Sequence, residues 1–119
     1  MEAADKMAVV EKYMQAFAKN DLDLIKEIYA EDATVEDPVG SEEHRGIAAI
    51  LEFYRQGMAA GPKLELTGPP RCAGNAVAFP FCCTASGMRI QVIDVFEFNR
   101  GGKVVSMKAY WGPENVATS

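Results

Sequence analysis

From Ala3 to Lys19 the apolar residues Met7, Val10, Met14 and Phe17 recur three or four positions apart, the spacing that gathers one stripe on a helix. Tyr13 falls on the same stripe. Asn20-Asp21 then offers a stop and a new N-cap, and Leu22, Ile25, Ile28 and Tyr29 continue the helical period into a second helix. Over residues 33–37 the pattern changes to alternation, and Pro38 disfavours a helical backbone at the residue before it, so Asp37 is predicted to end a short strand. A third helix is predicted after Gly46, where Ile47, Ile50, Leu51, Tyr54 and Met58 return to helical spacing. Gly57 and Gly61-Pro62 are expected to close it.

Beyond residue 62 the pattern is that of strands. Segments 64–67, 76–85, 88–98 and 103–111 are rich in β-branched and aromatic residues and are separated by Gly-Pro, Ser-Gly and Gly-Gly turn signals, as in an antiparallel meander. Helices first and strands afterwards define an α+β class, with three N-terminal helices packed on a curved antiparallel sheet. At 119 residues the chain is expected to form one domain, residues 1–119, with one site.

Composition narrows the partners. Hydrophobic residues make up 49% and charged residues 24%, which is the balance of a folding globular chain. The net charge of −5 and the scattered basic residues argue against nucleic acid and anionic membrane surfaces, both of which require a cationic patch. No apolar run is long enough to span a bilayer, and Met1 to Lys6 lacks the order of a signal peptide, so a cytoplasmic location is expected. Cys72, Cys82 and Cys83 are expected to be reduced packing thiols. Adjacent strand residues point to opposite faces, and no C-x-x-C spacing supports a metal site.

Two aspartates stand out against this background. In the strand around residues 91–99, period two places Val92, Asp94, Phe96 and Phe98 on one face and Gln91, Ile93, Val95, Glu97 and Asn99 on the other. A carboxylate among aromatics loses hydration, which favours its protonated form and makes it a hydrogen-bond donor. On the next strand Val105, Met107, Ala109 and Trp111 share an apolar face, and Val77, Phe79, Phe81 and Cys83 share another. Together they offer lining for a flat apolar ligand. His44 reads as a surface loop residue near a helix start.

Tyr13, the run from Tyr29 to Pro38, Phe53-Tyr54-Arg55-Gln56-Gly57, Val92-Ile93-Asp94-Val95 and Ala109-Tyr110-Trp111 occur in order. Over nearly the whole chain this series resembles the bacterial ketosteroid isomerase (steroid Δ-isomerase) family. The resemblance implies a conical cystatin-like or nuclear-transport-factor-like fold and a homodimer. It also implies cofactor-independent transfer of a carbon–carbon double bond into conjugation with the ketone of a 3-ketosteroid. That family is a known instance of an aspartic acid kept neutral to donate a hydrogen bond. By position, Asp37 matches the general base, and Tyr13 with protonated Asp94 matches the oxyanion hole. Tyr29 and Tyr54 match the network behind Tyr13, and Phe53, Phe81, Met107 and Trp111 match the apolar lining. Gln91, Val39 and a short hairpin at residues 84–88 depart from some members and are expected to alter pocket shape. Rival readings on the same fold are a dehydratase, polyketide cyclase or epoxide hydrolase, for which His44 beside an aspartate would be the marker, and a non-catalytic steroid or lipid binder.

Overall fold

The computed structural model describes residues 1–118. Three helices come first: α1 (Ala3–Lys19), α2 (Leu22–Ile28) and, after strands β1 (Tyr29–Glu36) and β2 (His44–Arg45), α3 (Ile47–Ala59). The remaining strands are β3 (Lys63–Leu66), β4 (Arg71–Ala73), β5 (Ala76–Ala85), β6 (Met88–Phe98), β7 (Val104–Tyr110) and β8 (Val116–Thr118), with a 3-10 turn at Pro113–Asn115 before the last. The helices pack on the curved sheet, as the hydrophobic pattern predicts.

Local chemistry sets the helix ends. Glu2 and Asp5 cap the start of α1 reciprocally, and Asn20 takes the left-handed conformation that ends it. The Asp21 side chain then accepts from the Asp23 and Leu24 amides to start α2. Because α2 begins only three residues after α1 ends, the two helices form a tight corner against the sheet. Gly46, at φ 86°, supplies the turn into α3 that a side chain would strain.

The sheet runs β2-β1-β7-β6-β5-β3, with β4 also pairing β5 and β8 also pairing β6. Its spine is the β5–β6 hairpin, joined by Ser86 and Gly87, both at positive φ as a two-residue hairpin turn requires. The later strands β3, β5, β6 and β7 pair antiparallel, as the meander predicts, but β1 runs parallel to β7, so the sheet is mixed and not the wholly antiparallel one expected. The long connection from β1 to β7, which includes α3, allows the parallel direction, and no local signal in the sequence encodes which strand β1 will meet.

Several positions differ in detail. On α1 Val10 and Tyr13 are buried and Met14 and Phe17 pack against the core as expected, but Met7 is 42% exposed, and Lys6 is buried in its place with its ammonium donating to the Gly74 carbonyl at 2.6 Å. Tyr29 leaves α2 and opens β1, where it pairs with Val104. Gly57 does not close α3, which continues to Ala59. A register shift after Glu97 sets Phe98 opposite Val104, so Val104 is buried where Val105 was expected.

Candidate active site

The concave face of the sheet and the helices enclose a cavity of about 210 Å³ lined mostly by apolar groups. Its wall takes Tyr13 and Phe17 from α1 and Phe53, Tyr54 and Gly57 from α3. The sheet contributes Leu64, Phe81, Cys83, Val92 and Asp94, and Asp37 and Trp111 come from strand ends. Of the expected lining, Phe53, Phe81 and Trp111 face this cavity. Met107 does not; it is fully buried in the core. It pairs with Phe96 on β6, one step further into the sheet than the Asp94–Ala109 pair that borders the cavity. Val39 and Gln91 do not line this cavity; they line a neighbouring groove that shares Phe81, Val92 and Trp111 with it.

Register brings the two aspartates together. Asp94 pairs with Ala109 on β7, and Glu36 of β1 pairs with the adjacent Lys108. The chain just past β1 therefore runs beside Ala109, and the Val39 amide donates to the Ala109 carbonyl at 2.8 Å. Ala109, with a single methyl, lies between the two carboxyl-bearing positions. Asp37, whose peptide to Pro38 is cis, is held from the other side by the Trp111 indole N–H, which donates to its Oδ1 at 2.8 Å.

The two carboxyls have different surroundings. Asp94 is 1% exposed, and neither of its oxygens has a hydrogen-bond partner. Burial raises its pKa well above the ordinary value, and the charge of Asp37 raises it further. The nearby Tyr13 hydroxyl offsets a small part, although its geometry falls short of a hydrogen bond. Asp37 is partly buried; burial raises its pKa, while the Trp111 hydrogen bond and then the charge of His44 pull it back. The strand-face reading of Asp94 is thus realised in the packing, with Phe79 and Ala109 as its cross-strand neighbours.

Behind Asp94 the tyrosines form a chain. The hydroxyls of Tyr13 and Tyr54 lie 3.1 Å apart, and those of Tyr54 and Tyr29 lie 2.6 Å apart. Each phenol has one proton to donate. If Tyr13 directs its proton into the cavity, Tyr54 must donate to Tyr13 and Tyr29 to Tyr54. Burial raises all three pKa values well above that of an ordinary phenol, so they remain neutral donors. Edge contacts of the Tyr13 ring with Phe17, Phe79 and Phe96, at centroid distances of 5.2, 5.9 and 5.2 Å, fix its direction.

His44 is not the free loop residue that the sequence pattern indicates. It pairs with Val35 in β2 and is half-buried, its ring 4.4 Å from that of Phe53. It influences Asp37 through its charge but does not line the cavity. Cys72, Cys82 and Cys83 are free thiols, and among the described residues no three His, Cys, Asp or Glu side chains converge to hold a metal ion. Cys83 lines the cavity as its strand face suggests, whereas Leu64 and Phe17 are lining residues whose apolar period marks them only as core. Their position at the cavity becomes visible once the strands are paired.

A curved sheet covered by helices around one apolar cavity with an acidic pair defines a class: a small α+β cone of the nuclear-transport-factor-like kind. The chain belongs to the SnoaL-like domain family, which it matches over residues 10–107. It is 39% identical, over 98% of both chains, to a steroid Delta-isomerase of Nocardioides simplex. Its fold superposes with a TM-score of 0.93, over 99% of this chain and 98% of the other, on the epoxide hydrolase/cyclase-like enzyme SalBIII of pyran ring formation in salinomycin, at 26% identity.

Proposed function

We propose that the protein is a cofactor-independent steroid Δ-isomerase that converts 3-oxo-Δ5-steroids to 3-oxo-Δ4-steroids. The observation that carries this reading is Asp94: a buried, unpartnered carboxyl facing a cavity that also holds an aspartate with a raised but partly restored pKa. The likeness to the Nocardioides simplex isomerase supplies the reaction class.

The chemistry follows from the two protonation states. Removing the proton between a ketone and a β,γ double bond places charge on the ketone oxygen, as a dienolate. Tyr13 and neutral Asp94 each donate a hydrogen bond to that oxygen, in a pocket where such donors count for more than in water. Ionised Asp37 takes the proton and returns it to the γ-carbon. One carboxylate serves both carbons by pivoting, with Trp111 as the hinge contact on Oδ1. Phe53, Phe81 and Trp111 supply apolar surface for the rings. Atoms balance without any co-reactant, because the proton removed is the proton returned.

The homodimer belongs to the same reading. Ile93 and Tyr110, each 48% exposed, pair across β6 and β7 on the face opposite Asp94, and the exposed Val39 and the half-buried Pro80 border the same groove. Such an apolar patch suits a second copy of the chain. Sedimentation of Ile93→Asp should show a shift toward monomer; an unshifted monomeric wild type would refute the dimer.

The test of the function is the rise in ultraviolet absorbance as a Δ5-3-ketosteroid becomes a conjugated enone, with Asp37→Asn as control. Wild-type turnover lost in the control is expected, and equal turnover in both would defeat the mechanism. A second reading, epoxide opening, is favoured by the likeness to SalBIII, because a neutral acid facing an ionised base also suits that reaction. Turnover of an epoxide with no action on the ketosteroid would select it. Tight enone binding without turnover would select a carrier.

A further inference from the structure

Gly57 lies inside α3, one turn after Phe53 and Tyr54, and all three line the cavity. Nothing in the folded chain demands a glycine there. Its backbone is that of an ordinary helix residue, and a Cβ added to it would meet no heavy atom within 4 Å. After proline, glycine is the costliest residue inside a helix, so stability alone favours alanine. The space that the missing side chain leaves open belongs to the cavity. Because Gly57 is exposed while Tyr54 is buried, that space is the mouth, where Pro62 and Leu64 form the neighbouring wall and Cys83 and Ala85 complete the lining from the sheet.

Cavity size shows what needs the opening. Pockets that take most of a drug-sized ligand hold about 300 Å³ or more, whereas this cavity holds about 210 Å³. A rigid polycyclic ketone whose oxygen sits at Tyr13 and Asp94 must therefore extend out through the mouth. We propose that Gly57 is a specificity-determining residue, whose absent side chain admits the broad apolar end of a multi-ring ketone that a narrower mouth would exclude. The proposal rests on the reading of the cavity as a ketone site and adds the ligand's breadth to it.

The experiment compares wild type, Gly57→Ala and Gly57→Leu on two β,γ-unsaturated ketones, a four-ring 3-ketosteroid and one-ring cyclohex-3-enone. Thermal unfolding reports folding, and Tm should rise by about 3–5 °C in Gly57→Ala. In Gly57→Leu the four-ring substrate should show a KM raised about tenfold or more with kcat changed far less. The penalty in kcat/KM should be at least tenfold smaller for the one-ring ketone, and Gly57→Ala should fall between. Equal penalties on both ketones, or none on either in a folded Gly57→Leu, would overturn the proposal. If wild type isomerises neither ketone, the isomerase reading fails. Gly57 is then judged by binding of the conjugated four-ring product, read through the fluorescence of Trp111, the chain's single tryptophan. Weaker binding in Gly57→Leu sustains the proposal, and undiminished or absent binding in wild type and variant overturns it.

Discussion

Two parts of the cavity hold a carboxyl each, and burial acts on both in the same direction. At the inner end Asp94 is surrounded by Phe79, Phe96 and Tyr13, neither of its oxygens has a hydrogen-bond partner, and only the Tyr13 hydroxyl offsets a small part of the burial. At the strand end Asp37 has an indole N–H on one oxygen and a histidine nearby. Asp94 is the more deeply buried of the two, and what faces each carboxyl adds to that difference. On the proposed reading, a desolvated site holds one proton donor and one acceptor within the same pocket.

Removing the acceptor should have the largest effect. Asp37→Asn is expected to lower kcat on the order of 10²–10⁴-fold with steroid binding retained, measured by enone absorbance and by titration of Trp111 fluorescence. Next comes the donor: Asp94→Ala should lower kcat about 10²–10³-fold. Asp94→Asn should lose clearly less, because its amide still donates. Equal losses in the two Asp94 variants would show that a charge, and not a donated hydrogen bond, is what this position supplies.

Smaller changes sharpen the contrast without erasing it. If Asp37 is the base proposed, it acts ionised, so kcat/KM should fall as pH is lowered through its raised pKa. Trp111→Phe removes the larger of the two effects that restrain that pKa, so the acid limb should move to higher pH. His44→Gln should move it the same way by less. A downward move in either profile would contradict the arrangement described for Asp37.

Stability should register the inner carboxyl with the opposite preference. Below the ordinary carboxylate range both native and unfolded chains carry the Asp94 proton. Above it the unfolded chain releases the proton first, so this group lowers native stability as pH rises, until the folded group ionises too. Asp94→Asn removes that dependence. Its Tm relative to wild type should increase with pH from about pH 4 upward, and a constant difference would mean that the carboxyl is not desolvated in the folded state.

Much of this was legible residue by residue, and the failures have physical causes. The face of Asp94 could be read because β6 keeps period two unbroken from Val92 to Phe98. On β7 the same reasoning erred at Val105, because an irregular register opposite Phe98 moves the buried position to Val104. Met107 shares a face with Trp111 yet lies in the core, since a strand's period tells which face a residue takes and not how far along that face a cavity extends. The environment of His44 was hidden for a further reason. Its contact with Phe53 and its influence on Asp37 depend on a two-residue strand pairing that carries no hydrophobic pattern of its own.

The parallel pairing of β1 with β7 has a consequence in time. Asp37 leaves the ribosome early, yet the strand that sets its position beside Ala109 is made roughly seventy residues later, and pairings so distant in sequence form slowly. A nascent chain that ends before β7 would carry Tyr13, Asp37 and Asp94 without the contact that brings Asp37 towards Asp94. Activity should therefore arise late in synthesis and all at once, when the last long strand closes between the other two.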